Sequence, residues 1–263
     1  MELRLGISTC PNDTFIFMPI IHKFVDPFPF TFRVILDDVE KLNGLAVKGL
    51  LDVVKVSYGV VPKVKDKYNI LKAGGALGYG CGPVVVSSDV CTVDELKGGK
   101  IAIPGENTTA FMIFKYFFGE DFTFIPMRFD QIMPAIKEGK ADAGILIHEG
   151  RFVFKDHGLY LLADLGELWE EKQNAPIPLG AILLTAKLKK EADLINNLIR
   201  SSINFSRNNF EIIKPFIHQY AEQLNNDVIK KHIELFVNEY SLDVTPVAAK
   251  IAPFVDADER LFV

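Results

Sequence analysis

Cysteine is scarce in this chain and poorly spaced for a metal. Cys10, Cys81 and Cys91 form no CxxC pair, and an odd number without pairing signals points to free thiols rather than a disulfide frame. The five histidines, at 22, 148, 157, 218 and 232, show no HExxH or comparable ligand spacing. No structural metal site is therefore expected. Long apolar runs are also missing: no stretch approaches the roughly 18 uninterrupted apolar residues of a membrane helix. The first residues, MELRLGISTCPND, carry neither a basic segment nor an apolar one of the kind that directs secretion, so the expectation is a cytoplasmic protein without a membrane partner. Clustered basic charge is lacking as well. With a net charge of −5 and scattered Lys and Arg, nucleic acid is not an expected partner.

What is present is ample core-forming material. The 263 residues are 49% hydrophobic and 24% charged, the balance of a globular protein large enough for two domains. Leu3 to Ser8 reads as a strand, and the polar turn after it precedes a helix starting near Thr14, which Asn12 and Asp13 are placed to cap. Phe30 to Leu36 reads as a second strand, Val39 to Gly49 as a helix, and Asp52 to Ser57 as a third strand. A glycine-dense stretch, GGALGYGCGP at 74 to 83, follows. It matches neither a dinucleotide-binding fingerprint nor a P-loop, and reads either as a tight connection or as a loop lying against a ligand.

The strand and helix alternation then restarts. Strands are expected at 100–103, 122–125 and 142–147, with helices at 108–118 and 129–138, and an apolar strand at 179–185 precedes a mostly helical tail. Two three-layer α/β lobes of about seven or eight strands account for this pattern. The apolar runs near 83–90 and 178–186 read as two crossover strands, giving a discontinuous first lobe (1–88 and 179–263) and a second at 89–178. That is the architecture of a periplasmic-binding-protein-like fold, in which a small-molecule site is expected in the cleft.

Candidate site residues follow from strand ends, because open α/β sheets bind ligands at the carboxyl ends of their strands. KADAGILIHEGRF, at 140–152, runs an apolar strand into His148, whose side chain titrates nearest neutrality. It is either a general base or a satisfied structural histidine; Glu149 alternates to the opposite face and is not expected to orient it. Thr108, Thr109 and Ala110 open a helix after a Pro-Gly turn, which makes either an N-cap or an anion site. Ser57 is a hydrogen-bonding candidate. Lys55, on the same strand face, is a cation there or simply a solvated edge residue. Asn12 and Asn43 suit ligand contact and helix capping equally, as do Asp13 and Thr14.

Several segments together resemble the 1,4-dihydroxy-6-naphthoate synthases of the futalosine route to menaquinone. These are STCPNDTFIF (8–17), LDDVEKLN (36–43), VVKVSYG (53–59), GGALGYGCGP (74–83), IAIPGENTTA (101–110), ILIHEGRF (145–152) and PIPLGAI (176–182). One departure is Ser8-Thr9-Cys10 where many relatives have Ser-Pro-Cys. The resemblance implies a type II periplasmic-binding-protein-like fold recruited as a lyase, acting on cyclic dehypoxanthinyl futalosine to release 1,4-dihydroxy-6-naphthoate and dihydroxyacetone without a metal or redox cofactor. It implies His148 as proton acceptor and substrate contacts at Lys55, Val56, Ser57, Thr108, Thr109 and Ala110. The substrate would be a small carboxylate, placed at the Thr108 helix start. A non-catalytic solute-binding protein and the sister chorismate dehydratase are the alternatives.

Overall fold

The computed structural model describes residues 1–148, 150–221 and 226–263. In chain order, β1 (Glu2–Ser8), α1 (Pro11–Ile21), β2 (Thr31–Asp37), α2 (Val39–Val47), β3 (Val53–Ser57), α3 (Val61–Val64), β4 (Tyr68–Ile70) and β5 (Ala76–Gly78) come first. Next are β6 (Val84–Ser87), β7 (Lys100–Ile103), α4 (Thr109–Phe118), β8 (Thr123–Pro126), α5 (Ile132–Lys137) and β9 (Ala143–Leu146). They are followed by α6 (Gly150–Val153), β10 (Tyr160–Asp164), α7 (Leu165–Gln173) and β11 (Ile177–Thr185). The tail holds α8 (Ala192–Asn208), α9 (Phe210–Tyr220), α10 (Asn226–Phe236), α11 (Glu239–Leu242) and α12 (Thr245–Ile251).

The chain divides into two compact units, Met1–Gly78 with Pro178–Val263, and Tyr79–Ile177. The first transition thus falls ten residues before the boundary expected at 88. The reason is the pairing of the Val84–Val86 run, read above as a crossover strand. It pairs antiparallel with β9 on one side and β10 on the other, deep in the second sheet.

The first unit is built on a six-stranded sheet of order β2-β1-β3-β11-β4, with β5 also pairing β11. β1 runs parallel to β2 and β3, whereas β11 is antiparallel to β3 and β4. Side chains alternate across a strand. Leu3, Leu5 and Ile7 therefore share a core with Phe17 of α1 and Ile195 and Ile199 of α8. Gly6 faces the other way, where a Cβ would meet Leu51 Cδ1 at 2.6 Å and Leu42 Cδ2 of α2 at 3.1 Å. Helices thus cover both faces of this sheet.

α1 starts at Pro11 rather than near Thr14, as suits a residue whose missing N–H is one the first helical turn leaves unused. It is buried along nearly its whole length. It also contains Pro19, which cannot donate to the carbonyl of Phe15. Ser206 of α8 does so instead, its Oγ donating to Phe15 O at 2.6 Å, and Ser202 Oγ donates to Ile16 O at 2.5 Å. The tail is thereby hydrogen-bonded to the backbone of α1.

The second unit has a five-stranded sheet of order β10-β6-β9-β7-β8. β7 is parallel to both β8 and β9, so these three strands point their carboxyl ends to one edge. Val84, Val86, Ala102 and Leu146 pack on one face against Ile132 and Ile136 of α5. Gly144 permits this approach, since a Cβ there would collide with Ile132 Cγ2. Among the described residues no helix is long and apolar enough to cross a membrane.

Candidate active site

In the first unit the carboxyl ends of β1, β2 and β3 lead into α1, α2 and the turn at Tyr58, so their polar residues gather at one sheet edge. Lys55 and Ser57 are two apart on β3 and share a face. The solvated-edge alternative for Lys55 is overturned: Lys55 is only 4% exposed, and its Nζ lies 2.6 Å from Asp13 Oδ1. Burial of an ammonium requires such a partner, because the desolvation cost runs to several kcal/mol. Asp13 is accordingly an ion-pair partner rather than a helix cap. Its other oxygen accepts Ser8 Oγ at 2.6 Å.

Asn43 is fully buried in α2 and serves the same edge. Its Oδ1 accepts from Ser57 N–H at 2.9 Å, and its Nδ2 donates to Ser57 Oγ at 3.1 Å and to Glu40 Oε2 at 3.0 Å. Asn12 Nδ2 donates to Asp13 Oδ1 at 2.8 Å. Val56 is buried on the opposite face of β3, so it brings only backbone atoms to this edge. Of the residues named from sequence, Asn12 and Lys55 thus meet at Asp13, and Asn43 and Ser57 form a second hydrogen-bonded pair at the same sheet edge.

Sequence reasoning did not find Gly180 of β11, which pairs with Ser57. A Cβ at Gly180 would meet Lys55 Cε at 2.6 Å, so the missing side chain is the lane along which the lysine stem runs. A lone glycine inside an apolar strand is the only signal the sequence offers, and it marks close approach without saying of what.

In the second unit, the parallel strands β7, β8 and β9 deliver Thr108, Phe129 and His148 to the same carboxyl edge. β9 ends at Leu146, two residues before His148, which sits in the turn beyond the strand rather than on it. His148 has φ +55°, a left-handed conformation that costs a non-glycine residue about 1–2 kcal/mol. Strain of this kind concentrates where function dictates geometry. The imidazole is partly exposed and stands edge-on to Phe129, with ring centroids 5.0 Å apart. Glu149 lies outside the described residues. Just beyond, Arg151 donates to Gly82 O at 2.7 Å and pairs with Asp164 Oδ2 at 2.7 Å, anchoring the chain that leaves the histidine turn.

Thr108 caps α4: its Oγ1 accepts from Phe111 N at 3.3 Å and donates to Gly105 O at 2.8 Å. The hydroxyl is thus engaged in shaping the turn. The backbone N–H groups of the first helical turn, at Thr109 and Ala110, lie at the positive end of the helix dipole. Both residues are buried. Among the described residues no group of three or more His, Cys, Asp or Glu could hold a metal ion.

Two α/β units built on mixed sheets, with the chain passing out of the first and back into it, define the periplasmic-binding-protein-like fold class. Solved structures agree. The alkanesulfonate-binding protein SsuA from Xanthomonas axonopodis pv. citri, bound to MOPS, superposes with a TM-score of 0.69 at 14% identity, covering 100% of this chain and 94% of that one. At this identity the likeness is one of fold alone. Protein AF1704 from Archaeoglobus fulgidus is nearer, with a TM-score of 0.88, 30% identity and 97% of each chain covered.

The family model described as menaquinone biosynthesis matches residues 3–250, and the chain belongs to that family. It is 38% identical to the 1,4-dihydroxy-6-naphthoate synthase of Streptomyces coelicolor, over 92% of this chain and 87% of the relative. Identity to the enzyme of the same name from Thermus thermophilus is also 38%, over 92% of this chain and 88% of the relative.

Proposed function

We propose that the chain converts cyclic dehypoxanthinyl futalosine to 1,4-dihydroxy-6-naphthoate and dihydroxyacetone in the cytoplasm, with His148 as general base. The observation that carries this reading is the 38% identity, over 92% of the chain, to two proteins named for the naphthoate product.

The chemistry suits the groups available. A carbon–carbon cleavage that ends in an aromatic diol requires a proton to be removed and the oxygens of the departing sugar fragment to be held. A base titrating near neutrality is fitted to the first task and fixed hydrogen-bond donors to the second. His148 at the carboxyl edge of the second sheet is the proposed base. The first helical turn of α4, at Thr108, Thr109 and Ala110, is proposed to receive the substrate carboxylate. Lys55, the Val56 backbone, Ser57, Asn43 and Asn12 are proposed to meet the hydroxylated part. No nucleic acid or membrane partner and no cofactor enters this scheme.

The test is turnover. Purified protein incubated with cyclic dehypoxanthinyl futalosine should release dihydroxynaphthoate, and none should form with buffer alone. His148→Asn is the informative variant, because asparagine tolerates the left-handed backbone that alanine does not. Loss of the base should lower kcat about 10²- to 10⁴-fold. Turnover at the unaltered rate would remove His148 from its role, and absence of turnover by the parent protein would remove the function.

A further inference from the structure

One line of buried contacts in the first unit begins far from the strand ends. His232 of α10 is 1% exposed, and its Nε2 lies 3.1 Å from Asn12 Oδ1. Asn12 Nδ2 donates to Asp13 Oδ1 at 2.8 Å, and that oxygen receives Lys55 Nζ at 2.6 Å. An ionised carboxylate accepts only. Asn12 must therefore present its NH₂ to Asp13 and its oxygen to α10, which makes His232 Nε2 the N–H end of the contact. The orientation of each member follows from the next, ending at an ammonium.

The terminus of this line is constrained a second time. Lys55 runs past Gly180, where even a methyl group would strike its Cε. A long lysine side chain ordinarily keeps much of its rotamer freedom. Here the lane at Gly180 and the carboxylate of Asp13 leave it one position. Holding an ion pair in the interior is costly compared with an apolar core and is weak evidence of a gain in stability. A placed cation, next but one to Ser57 on the same strand face, is what the arrangement delivers.

We propose that His232, acting through Asn12, is a positioning residue for Lys55: it holds Asp13 so that the ammonium stands at a fixed point of the first unit's sheet edge, where it engages an oxygen of the substrate. This rests on Lys55 being a substrate contact in the proposed reaction. It gives α10 of the helical tail a part in substrate affinity although His232 touches no substrate.

The experiment compares His232→Leu, which removes the donor, with His232→Gln, whose terminal amide replaces the Nε2 donor. Two quantities are read: the rate of Lys55 acetylation by acetic anhydride, followed by mass spectrometry, and kcat and KM separately. His232→Leu is expected to acetylate Lys55 about tenfold faster and to raise KM about tenfold, with kcat within about threefold of the parent. His232→Gln is expected to restore both. Unchanged labelling and KM in folded His232→Leu, or a glutamine variant as defective as the leucine one, would overturn the proposal. Should His232→Leu fail to fold, Asn12→Ala cuts the same line one contact nearer Lys55, and the Lys55 labelling rate decides, since Asn12 is itself a proposed substrate contact: labelling at the parent rate would overturn the proposal. Absence of turnover by the parent removes the reaction, whereas the labelling rates still decide whether the line holds Lys55.

Discussion

Asn43 grips Ser57 twice, taking its backbone N–H at 2.9 Å and giving an N–H to its hydroxyl at 3.1 Å. One amide thus joins α2 to the end of β3 and sets the hydroxyl's direction. Asn43→Ala leaves both groups of Ser57 without these partners in a buried place, at a cost of about 1–3 kcal/mol. Asn43→Asp keeps the acceptor for Ser57 N–H but buries a carboxylate where the amide donates to Glu40 Oε2 at 3.0 Å. At neutral pH it should therefore destabilise at least as much as Asn43→Ala, and both should raise KM. Denaturant melts and steady-state kinetics on the two variants check both expectations.

Two glycines should fail in different ways. At Gly180 an added methyl meets Lys55 Cε, and the lysine can yield only by loosening its pair with Asp13, so Gly180→Ala should cost about 1 kcal/mol of stability and raise KM by displacing Lys55. At Gly82 the added methyl meets the backbone N and Cα of Gly166, which cannot swing aside. Gly82→Ala should therefore destabilise by about 1–3 kcal/mol or more. Equal melting temperatures for the two variants would contradict this.

Ser206 replaces the donor that Pro19 denies to Phe15. Ser206→Ala should cost about 1–3 kcal/mol, since a buried carbonyl loses its partner. The double variant Ser206→Ala with Pro19→Ala should recover part of that loss, because residue 19 regains an N–H. A double-mutant cycle in urea measures the coupling.

Burial, reinforced by the nearby negative charge of Glu170, pushes the Cys81 thiol up to about 12. A group whose folded pKa lies above its unfolded value near 8.5 favours the folded state fully below that unfolded value. The contribution is lost as pH rises from about 8.5 to about 12. Cys81→Ala should flatten the alkaline fall in stability across that window. In the parent protein at pH 8, Cys81 should resist iodoacetamide until the protein unfolds, as peptide mapping of the labelled thiols would reveal.

Much of this fold was legible in the residues, and the exceptions have physical causes. β1, β2, β3, β7 and β8 lie within a residue or so of their sequence positions because each is an apolar run closed by polar turn residues. β4 and β5, three residues each, are too short to show a period. The early transition at Gly78 was hidden because an apolar run announces burial but not which sheet buries it. The sequence does not choose between cap and ligand contact for Asp13 because its lysine partner is 42 residues away, and His232 meets Asn12 across 220. His148 was read as a strand-end residue, since nothing in its own chemistry announces a positive φ. His148 and Ser57 were named as candidates from the rule that ligands gather at strand ends, which is a property of topology and so tolerates errors of a few residues in boundaries.

The place of β11 in the first sheet also sets an order of events as the chain leaves the ribosome. β3, β4 and β5 all pair with β11. Until Thr185 has emerged, β4 and β5 have no strand to dock on, and Lys55 lacks the lane that Gly180 provides. Tyr79–Ile177, by contrast, is contiguous and complete by then. Domains generally fold as units during synthesis. The second unit is thus the first to close its sheet, and the unit that starts the chain is the last to finish.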